Sequence, residues 1–277
     1  MAANLREIAE TTLAAVSAGK VVVGGLLYDL RGKLAESTLR TAYYAPDSLL
    51  SAWHSFSPAQ TPLAMQTVIE ILETTTLAAA RNAGLKGYKR PIGVLNFASA
   101  EQPGGGFINR ASAQEESIAR SSALYTSLMT PTAQQFYTLH STHGKGGFYS
   151  HAMVYSPHVV VFRADDGAWV EPMEIDVVTS PAVHAGLVRK RALSAASERM
   201  ARVLFLFERR QVRNIVLGSF GTGVFRNDVD TVAAIWAELL CGPSTRFGRS
   251  FQYVVFAIKD QTTYRRFKRA FERDINS

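Results

Sequence analysis

The apolar positions of this chain follow two spacings that alternate along it. Continuous apolar runs bounded by glycine, proline or polar turns predict buried strands, whereas apolar residues three and four positions apart predict helices. The predicted strands are 67–71, 91–99, 159–162, 174–178 and 213–218. The predicted helices are 5–16, 74–82, a run over 114–129, 187–209, 228–240 and one that begins near Thr263. Strands that alternate with helices favour an α/β/α sandwich around a mixed sheet.

The N-terminal part is less regular than the rest. Gly24-Gly25 and Arg31-Gly32 predict a hairpin or a loop, and residues 43–62 form an irregular stretch with prolines at 46, 58 and 62. Such a stretch is a good candidate for a boundary between structural units. We therefore expect 1–62 to be an N-terminal accessory segment that packs on a larger domain formed by 63–277.

The stretch with the most chemical content follows the predicted strand 91–99. It contains Gly104-Gly105-Gly106 and, after seven further residues, Gln114-Glu115-Glu116 at the start of a predicted helix. Glycines let a backbone approach a ligand, and paired carboxylates beside such a loop suggest acid/base chemistry on a nucleotide-like substrate. A flexible turn before an acidic first helical turn would give the same pattern. The position favours a ligand site, because ligands in open α/β sheets bind at the carboxyl ends of strands.

A second glycine loop has the same setting. Residues Ser219–Phe225 lie between the predicted strand 213–218 and the predicted helix 228–240. The Gly-x-x-Gly-x-Gly pattern is a weak signal by itself. It gains weight as a second strand–loop–helix unit, because backbone N–H groups at the start of a helix form an anion site.

With these loops the chain resembles the microbial-type poly(ADP-ribose) glycohydrolases, a branch of the macrodomain superfamily. The signature of that family is a triple glycine followed by Gln-Glu-Glu, and residues 95–99 precede it here as in the family. Segments 179–181, 189–191 and 251–256 are also similar, so the resemblance covers roughly residues 1–260, more loosely at the N-terminus. It implies a macrodomain-like three-layer α/β/α sandwich with a mixed sheet and an N-terminal helical extension.

The resemblance also implies an activity. The ribose–ribose O-glycosidic bonds of poly(ADP-ribose) would be hydrolysed, mainly from chain ends, to release ADP-ribose and reverse ADP-ribosylation in the DNA damage response. Such a bond breaks through an oxocarbenium-like state, so the leaving oxygen needs a proton. By resemblance, Glu116 is the general acid that then activates water, Glu115 holds ribose hydroxyls and Gln114 orients the loop.

The geometry of a helix suits this division of roles between Glu115 and Glu116. Consecutive helical residues point about 100° apart, so the two carboxylates are not expected to face one atom. An acid that works at neutral pH needs a raised pKa, which a neighbouring like charge and partial burial provide.

Further residues are assigned to substrate binding by the resemblance. Asn96 and Ser99 match positions near the distal ribose, and Phe225 would pack beside the ribose or its phosphates. The residues implied around the diphosphate are Gly104, Gly105, Gly106, Ser219, Gly221, Thr222, Gly223 and Val224. For Asn96, Ser99 and Phe225, ordinary turn or core packing is the alternative.

Two other function classes stay open. A reader would bind ADP-ribose without cleaving it, and loss of either glutamate would indicate one; both are present. A hydrolase of ADP-ribose attached directly to protein or nucleic acid would use the same pocket.

The charge of the chain is compatible with a polyanionic partner but does not identify one. The net charge is +7, with basic clusters at 189–191, 209–210 and 265–269. Solvated helix faces and helix C-termini are the ordinary explanation of such clusters, and among polyanions poly(ADP-ribose) and nucleic acid fit the charge equally well. We expect poly(ADP-ribose) and ADP-ribosylated proteins as partners, and no binding to a membrane or to a specific nucleic acid sequence. We also expect the protein to be a monomer and to be intracellular, in the cytoplasm or the nucleus.

Other chemistries have weaker support. His140 and His143 have a His-x-x-His spacing without a nearby cysteine or carboxylate, so we expect them on loops and predict no metal or cofactor. Cys241 is the only cysteine, which excludes an intramolecular disulfide, and its place at a helix end favours a buried structural role.

Overall fold

The computed structural model describes residues 4–57, 67–88, 91–142, 146–187, 192–241 and 245–275. The helices are α1 (Leu5–Ala18), α2 (Arg31–Arg40), α3 (Thr76–Leu85), α4 (Gln114–Ser121), α5 (Leu124–Leu128), α6 (Pro131–Thr142), α7 (Ala192–Arg209), α8 (Val229–Leu240) and α9 (Gln261–Ile275). The strands are β1 (Lys20–Val23), β2 (Leu26–Asp29), β3 (Ala42–Tyr44), β4 (Val68–Leu72), β5 (Ile92–Phe97), β6 (Met153–Arg163), β7 (Trp169–Ser180), β8 (Asn214–Leu217) and β9 (Tyr253–Ala257). Leu49–Ser55 and Phe107–Asn109 form 3₁₀ helices.

In this described part of the chain, seven strands form one mixed sheet in the order β3-β6-β7-β5-β8-β9-β4. The strands β7, β5, β8, β9 and β4 pair in parallel, whereas β3, β6 and β7 pair antiparallel. Helices α7, α8 and α9 cover one face through a core that includes Leu204, Trp236 and Phe267. Helices α3, α5 and α6 cover the other face with Leu77, Leu124 and Phe136. The predicted α/β/α sandwich with a mixed sheet is therefore confirmed.

The N-terminal part contains more regular structure than its sequence predicts. Gly24 and Gly25 have φ of 56° and 82°, which is the geometry of the tight β1–β2 hairpin. Arg31-Gly32 does not end an element but starts α2, and the stretch predicted to be irregular contains β3 and a 3₁₀ helix. Strand β3 pairs with β6 in the large sheet. The division of the chain at residue 62 stays a prediction.

Tertiary contacts change two other predicted elements. The helical run over 114–129 is broken at Ser122, which is extended (φ −147°) and forms a β-bridge with Val161, so it becomes α4 and α5. Helix α6 was not predicted; it begins with Pro131, a favoured first residue, after Thr130 accepts a hydrogen bond from the Ala133 N–H. Residues 188–191 of the predicted helix 187–209 lie outside the described residues.

The sheet brings the two glycine loops together. The neighbouring parallel strands β5 and β8 end at Phe97 and Leu217, and β7 ends beside β5 at Ser180. Both loops and the segment after β7 therefore emerge from the same edge of the sheet. Phe97 and Phe220 pack there with ring centroids 5.5 Å apart.

Candidate active site

Gln114 joins the start of α4 to the end of β5. Its side-chain oxygen accepts from the backbone N–H of Phe97 (2.9 Å), and its amide nitrogen donates to the carbonyl of Leu95 (2.7 Å) and to Thr76 Oγ1 (3.2 Å). These bonds use both ends of the amide group. The first residue of the helix is thus fixed to the strand, which sets where the next two side chains begin.

Glu115 is buried against the end of the same strand. Its Oε2 accepts from the backbone N–H of Ser99 (2.7 Å), and its Oε1 accepts from Asn96 Nδ2 (3.3 Å). The same Asn96 nitrogen also reaches Thr179 Oγ1 at 3.3 Å. Burial raises the pKa of Glu115 to about 8 against the lowering effect of these donors, with a smaller rise from the charge of Glu116. The carboxyl therefore retains a proton at neutral pH.

Glu116 differs from Glu115 in having one oxygen without a partner. Its Oε1 accepts from the backbone N–H of Gly106 (3.0 Å). Its Oε2 is buried and has no hydrogen-bond partner among the described residues. A buried polar atom normally finds a partner, so an open oxygen of this kind indicates a position that a ligand completes.

Arg120 lies one helical turn after Glu116 and supports the loop in front of it. Its Nη1 donates to the carbonyls of Phe107 (3.2 Å) and Ala111 (2.6 Å). Burial lowers the pKa of this guanidinium, whereas the nearby charge of Glu116 raises it. The arginine thus fixes the segment between the triple glycine and the carboxylates.

The two carboxylates converge on Gly105, contrary to the expectation that they would not face one atom. A Cβ added to Gly105 would overlap Glu116 Oε1 and would lie 3.1 Å from Glu115 Oε2. A glutamate side chain has three rotatable bonds, so two neighbours in the first turn can bend back over the same point. Their different partners, rather than their directions, distinguish them.

The second glycine loop is held at its base and open at its tip. Asn227 Nδ2 donates to the carbonyls of Val183 (2.8 Å) and Gly221 (3.1 Å), which ties the loop to the segment after β7. Thr222 Oγ1 donates to the Ser219 carbonyl (3.0 Å). A Cβ added to Gly223 would meet nothing within 4 Å.

Phe225 lies in an aromatic row that the sequence did not predict. The Phe225 ring is stacked on the His184 ring (centroids 4.8 Å apart) and is 5.7 Å from the Tyr149 ring. Tyr149 has a φ of 50°, which is uncommon for a residue with a side chain. Neither Tyr149 nor His184 belongs to a motif; the nearness of His184 to the similar segment 179–181 was the one available signal.

His140 does not lie on a loop as predicted but in the last turn of α6. It is buried, with Nδ1 bonded to the Phe136 carbonyl (2.8 Å) and Nε2 accepting from the Ser150 N–H (3.1 Å). Burial lowers the pKa of His140 to about 4, so the ring is neutral and both nitrogens are occupied. His143 lies outside the described residues. In the chain segments that the structure describes, no group of three or more potential metal ligands is found.

Cys241 is half-buried, and burial raises the pKa of its thiol to about 11. This shift is opposite to that of a reactive thiol.

Of the helices in the described residues, none is long and apolar enough to cross a membrane.

Comparison with known proteins places this geometry in a family. The family described as microbial-type PARG, catalytic domain, matches residues 9–164. The solved poly(ADP-ribose) glycohydrolase from Thermomonospora curvata is 36% identical with a TM-score of 0.89 over 98% of each chain. The structure of the T. curvata enzyme bound to the inhibitor ADP-HPD is 36% identical with a TM-score of 0.85, covering 97% of this chain and 98% of that one.

The resemblance extends to a second organism. The poly(ADP-ribose) glycohydrolase from Deinococcus radiodurans in complex with ADP-ribose is 32% identical with a TM-score of 0.76, covering 92% of this chain and 98% of that one. A comparison with curated proteins gives no match. The family match includes the segment with the first loop, and the solved structures agree with the fold over 92% to 98% of this chain. The chain belongs to the family of microbial-type poly(ADP-ribose) glycohydrolases.

Proposed function

We propose that this protein hydrolyses the ribose–ribose O-glycosidic bonds of poly(ADP-ribose) and releases ADP-ribose, mainly from chain ends. The observation that carries the proposal is the Glu116 carboxyl, with one oxygen fixed by the Gly106 N–H and the other buried without a partner among the described residues. Solved relatives hold ADP-ribose or the inhibitor ADP-HPD, which supports the same ligand class here. ADP-ribosylated proteins are the proposed natural carriers of the substrate.

Glu116 acts as general acid and then as general base. Its carboxyl gives a proton to the leaving ribose oxygen while the bond from that oxygen to the anomeric carbon breaks, and the electron pair of the bond stays on the oxygen. Water then adds to the oxocarbenium carbon, and the Glu116 carboxylate takes the proton that the water loses. The acid is thereby restored.

Glu115 holds the distal ribose and retains a proton beside Glu116. It is fixed by the Ser99 N–H and Asn96, so its position changes little when substrate binds. Both carboxyls lie over Gly105, so the proton on Glu115 lowers the negative charge at this point. The raised pKa of Glu115 keeps this proton in place at neutral pH.

The remaining predicted residues surround the diphosphate and its riboses. The backbones of Gly104–Gly106 and Ser219–Val224 face the phosphates, and Phe225 packs beside a ribose. The open space at Gly223 and the exposure of Val224 support this assignment, because a ligand can approach the loop tip without displacing protein atoms.

Incubation with poly(ADP-ribose), with products resolved by chain length, tests the proposal. Free ADP-ribose as the early product supports action at chain ends, whereas shortened internal fragments would contradict it. ADP-ribose should also raise the melting temperature, by an amount equivalent to about 2.7 kcal/mol at a hundredfold excess over Kd. A protein that binds ADP-ribose but cleaves no ADP-ribosyl substrate would be a reader.

A further inference from the structure

A buried arginine that the proposed reaction does not use lies on α7. Arg199 is 1% exposed and is among the largest fully buried side chains of the described residues. Its Nη1 donates to the carbonyl of Pro181 (2.9 Å) and its Nη2 to the carbonyl of Phe148 (2.8 Å). Its Nε is buried and has no hydrogen-bond partner in the described part of the chain.

The positive charge of Arg199 is not balanced by the protein. Arg199 forms no ion pair with a carboxylate among the described residues. The charged group with the largest effect on Arg199 is Arg202, which is itself paired with Glu198 (2.6 Å). Burial and Arg202 lower the pKa of Arg199 to about 9, against a smaller rise from Tyr149. An unpaired buried charge is costly, so its retention calls for a partner that arrives with the ligand.

The two carbonyls that Arg199 holds belong to two walls of the candidate site. The Phe148 carbonyl immediately precedes Tyr149, whose left-handed backbone needs support from its surroundings. The Pro181 carbonyl begins the segment that leads to His184. Tyr149 and His184 are the residues that flank Phe225. Arg199 therefore connects both sides of the aromatic row.

We propose that Arg199 is a positioning residue for the diphosphate of ADP-ribose: it fixes the two segments that flank Phe225, and the bound diphosphate balances its charge. The inference rests on the proposed function, which places the diphosphate at Ser219–Val224. Asn227 ties that loop to Val183, two residues after Pro181. The same short segment is therefore hydrogen-bonded both to the Arg199 guanidinium and to the residue that holds the loop. Within a protein interior of low dielectric, a buried cation attracts a nearby anion more strongly than it would in water.

The test compares two arginines of the same helix. Arg199→Lys keeps the charge but leaves one ammonium for two carbonyls, and Arg199→Met removes the charge. Arg202→Lys is the matched control, because Arg202 is also buried but is paired with Glu198 and contacts Pro46 instead of the pocket segments. Binding of ADP-ribose and of adenosine, which lacks phosphates, is measured by calorimetry, and thermal unfolding is measured for each variant.

We expect Arg199→Met to weaken ADP-ribose binding by at least about tenfold, equivalent to 1.4 kcal/mol, and adenosine binding much less. Arg199→Lys should recover part of the loss, and Arg202→Lys should bind ADP-ribose as the wild type does. Unchanged ADP-ribose affinity in folded Arg199→Lys would overturn the inference even if Arg199→Met does not fold. Equal losses for both ligands, or for Arg202→Lys, would also overturn it. If the wild type itself does not bind ADP-ribose, the proposed function fails instead.

Discussion

The two glycine loops at the carboxyl edge of the sheet differ in what occupies the space beside their glycines. In the first loop, the Cβ position of Gly105 is occupied by the Glu116 carboxylate, and that of Gly104 lies 3.1 Å from the Phe107 ring. In the second loop, Gly223 has open space where a Cβ would be, and the neighbouring Val224 side chain is 78% exposed. The first loop is filled by the protein, whereas the second is filled at its base, where a Cβ added to Gly221 would overlap Asn227, and is open only at its tip.

This difference separates the requirements of catalysis from those of binding. A general acid has to be fixed before substrate arrives, so the glycines of the first loop make room for carboxylates that the protein itself supplies. In the proposed function the diphosphate is supplied by the ligand, so the second loop needs only a firm base, which Asn227 provides, and space at its tip.

The largest effect is expected for Glu116→Gln. The amide fills the same space but has no proton to give, and general acid/base catalysis typically contributes on the order of 10²- to 10⁴-fold. Turnover of poly(ADP-ribose) should fall by that factor while the Kd for ADP-ribose changes little. Glu73→Gln, at an exposed carboxylate, serves as the control. Retention of more than about a tenth of the wild-type rate would show that the role of Glu116 is wrong.

A large effect is also expected for Gly105→Ala. The new Cβ would displace the Glu116 carboxylate, and displacement of a catalytic group by about 1 Å can lower a rate 10²-fold. The left-handed backbone (φ 58°) adds a loss of about 1–2 kcal/mol in the free energy of unfolding.

Gly24→Ala is a close match for this variant, because Gly24 has a φ of 56° and nothing within 4 Å of an added Cβ. It should lose similar stability yet keep full activity. Denaturant unfolding and turnover of poly(ADP-ribose), measured on both variants, make the comparison. If Gly105→Ala remains as active as Gly24→Ala, the crowding over the first loop is not catalytically important.

The sequence was sufficient for those features that depend on local spacing. The strand–loop–helix order of both glycine loops is encoded by neighbouring residues, and the start of α4 at Gln114 follows from the same pattern. The fold class follows because alternating strands and helices allow few arrangements. The break at Ser122 was not predictable in this way, since it depends on a bridge to Val161, 39 positions away.

The candidate site shows the same limit. The convergence of Glu115 and Glu116 over Gly105 is decided by side-chain rotation, which helical spacing does not determine. The aromatic row is decided by contacts between Tyr149, His184 and Phe225, which come from three separate segments of the chain. A single sequence contains no local pattern for such contacts.

A smaller effect, on stability rather than rate, is expected from the ionisation of Glu115. Burial raises its pKa from the ordinary value of 4.5 to about 8, so between these pH values the folded protein holds a proton that the unfolded chain has lost. The free energy of unfolding should therefore fall as pH rises through this window, by up to about 1.4 kcal/mol per pH unit.

Glu115→Gln should remove this contribution to the pH dependence, and Glu73→Gln should leave it unchanged. Urea denaturation at pH 6, 7 and 8 measures the difference between the variants. Parallel pH profiles for the wild type and Glu115→Gln would mean that the buried carboxyl does not hold a proton in this range.

The smallest effect on the fold is expected for Gly223→Ala, and it tests the open loop directly. An added Cβ would meet no protein atom within 4 Å, so the free energy of unfolding should change by less than about 0.5 kcal/mol. If the diphosphate occupies this space, the methyl group should weaken ADP-ribose binding by roughly tenfold, or about 1.4 kcal/mol. Gly32→Ala is the control, since its Cβ would also meet nothing within 4 Å but lies in α2. Calorimetric titration with ADP-ribose and thermal unfolding of both variants check the prediction. Wild-type affinity in Gly223→Ala would mean that the ligand does not approach the tip of the second loop, and the contrast between a filled loop and an open one would then have no functional meaning.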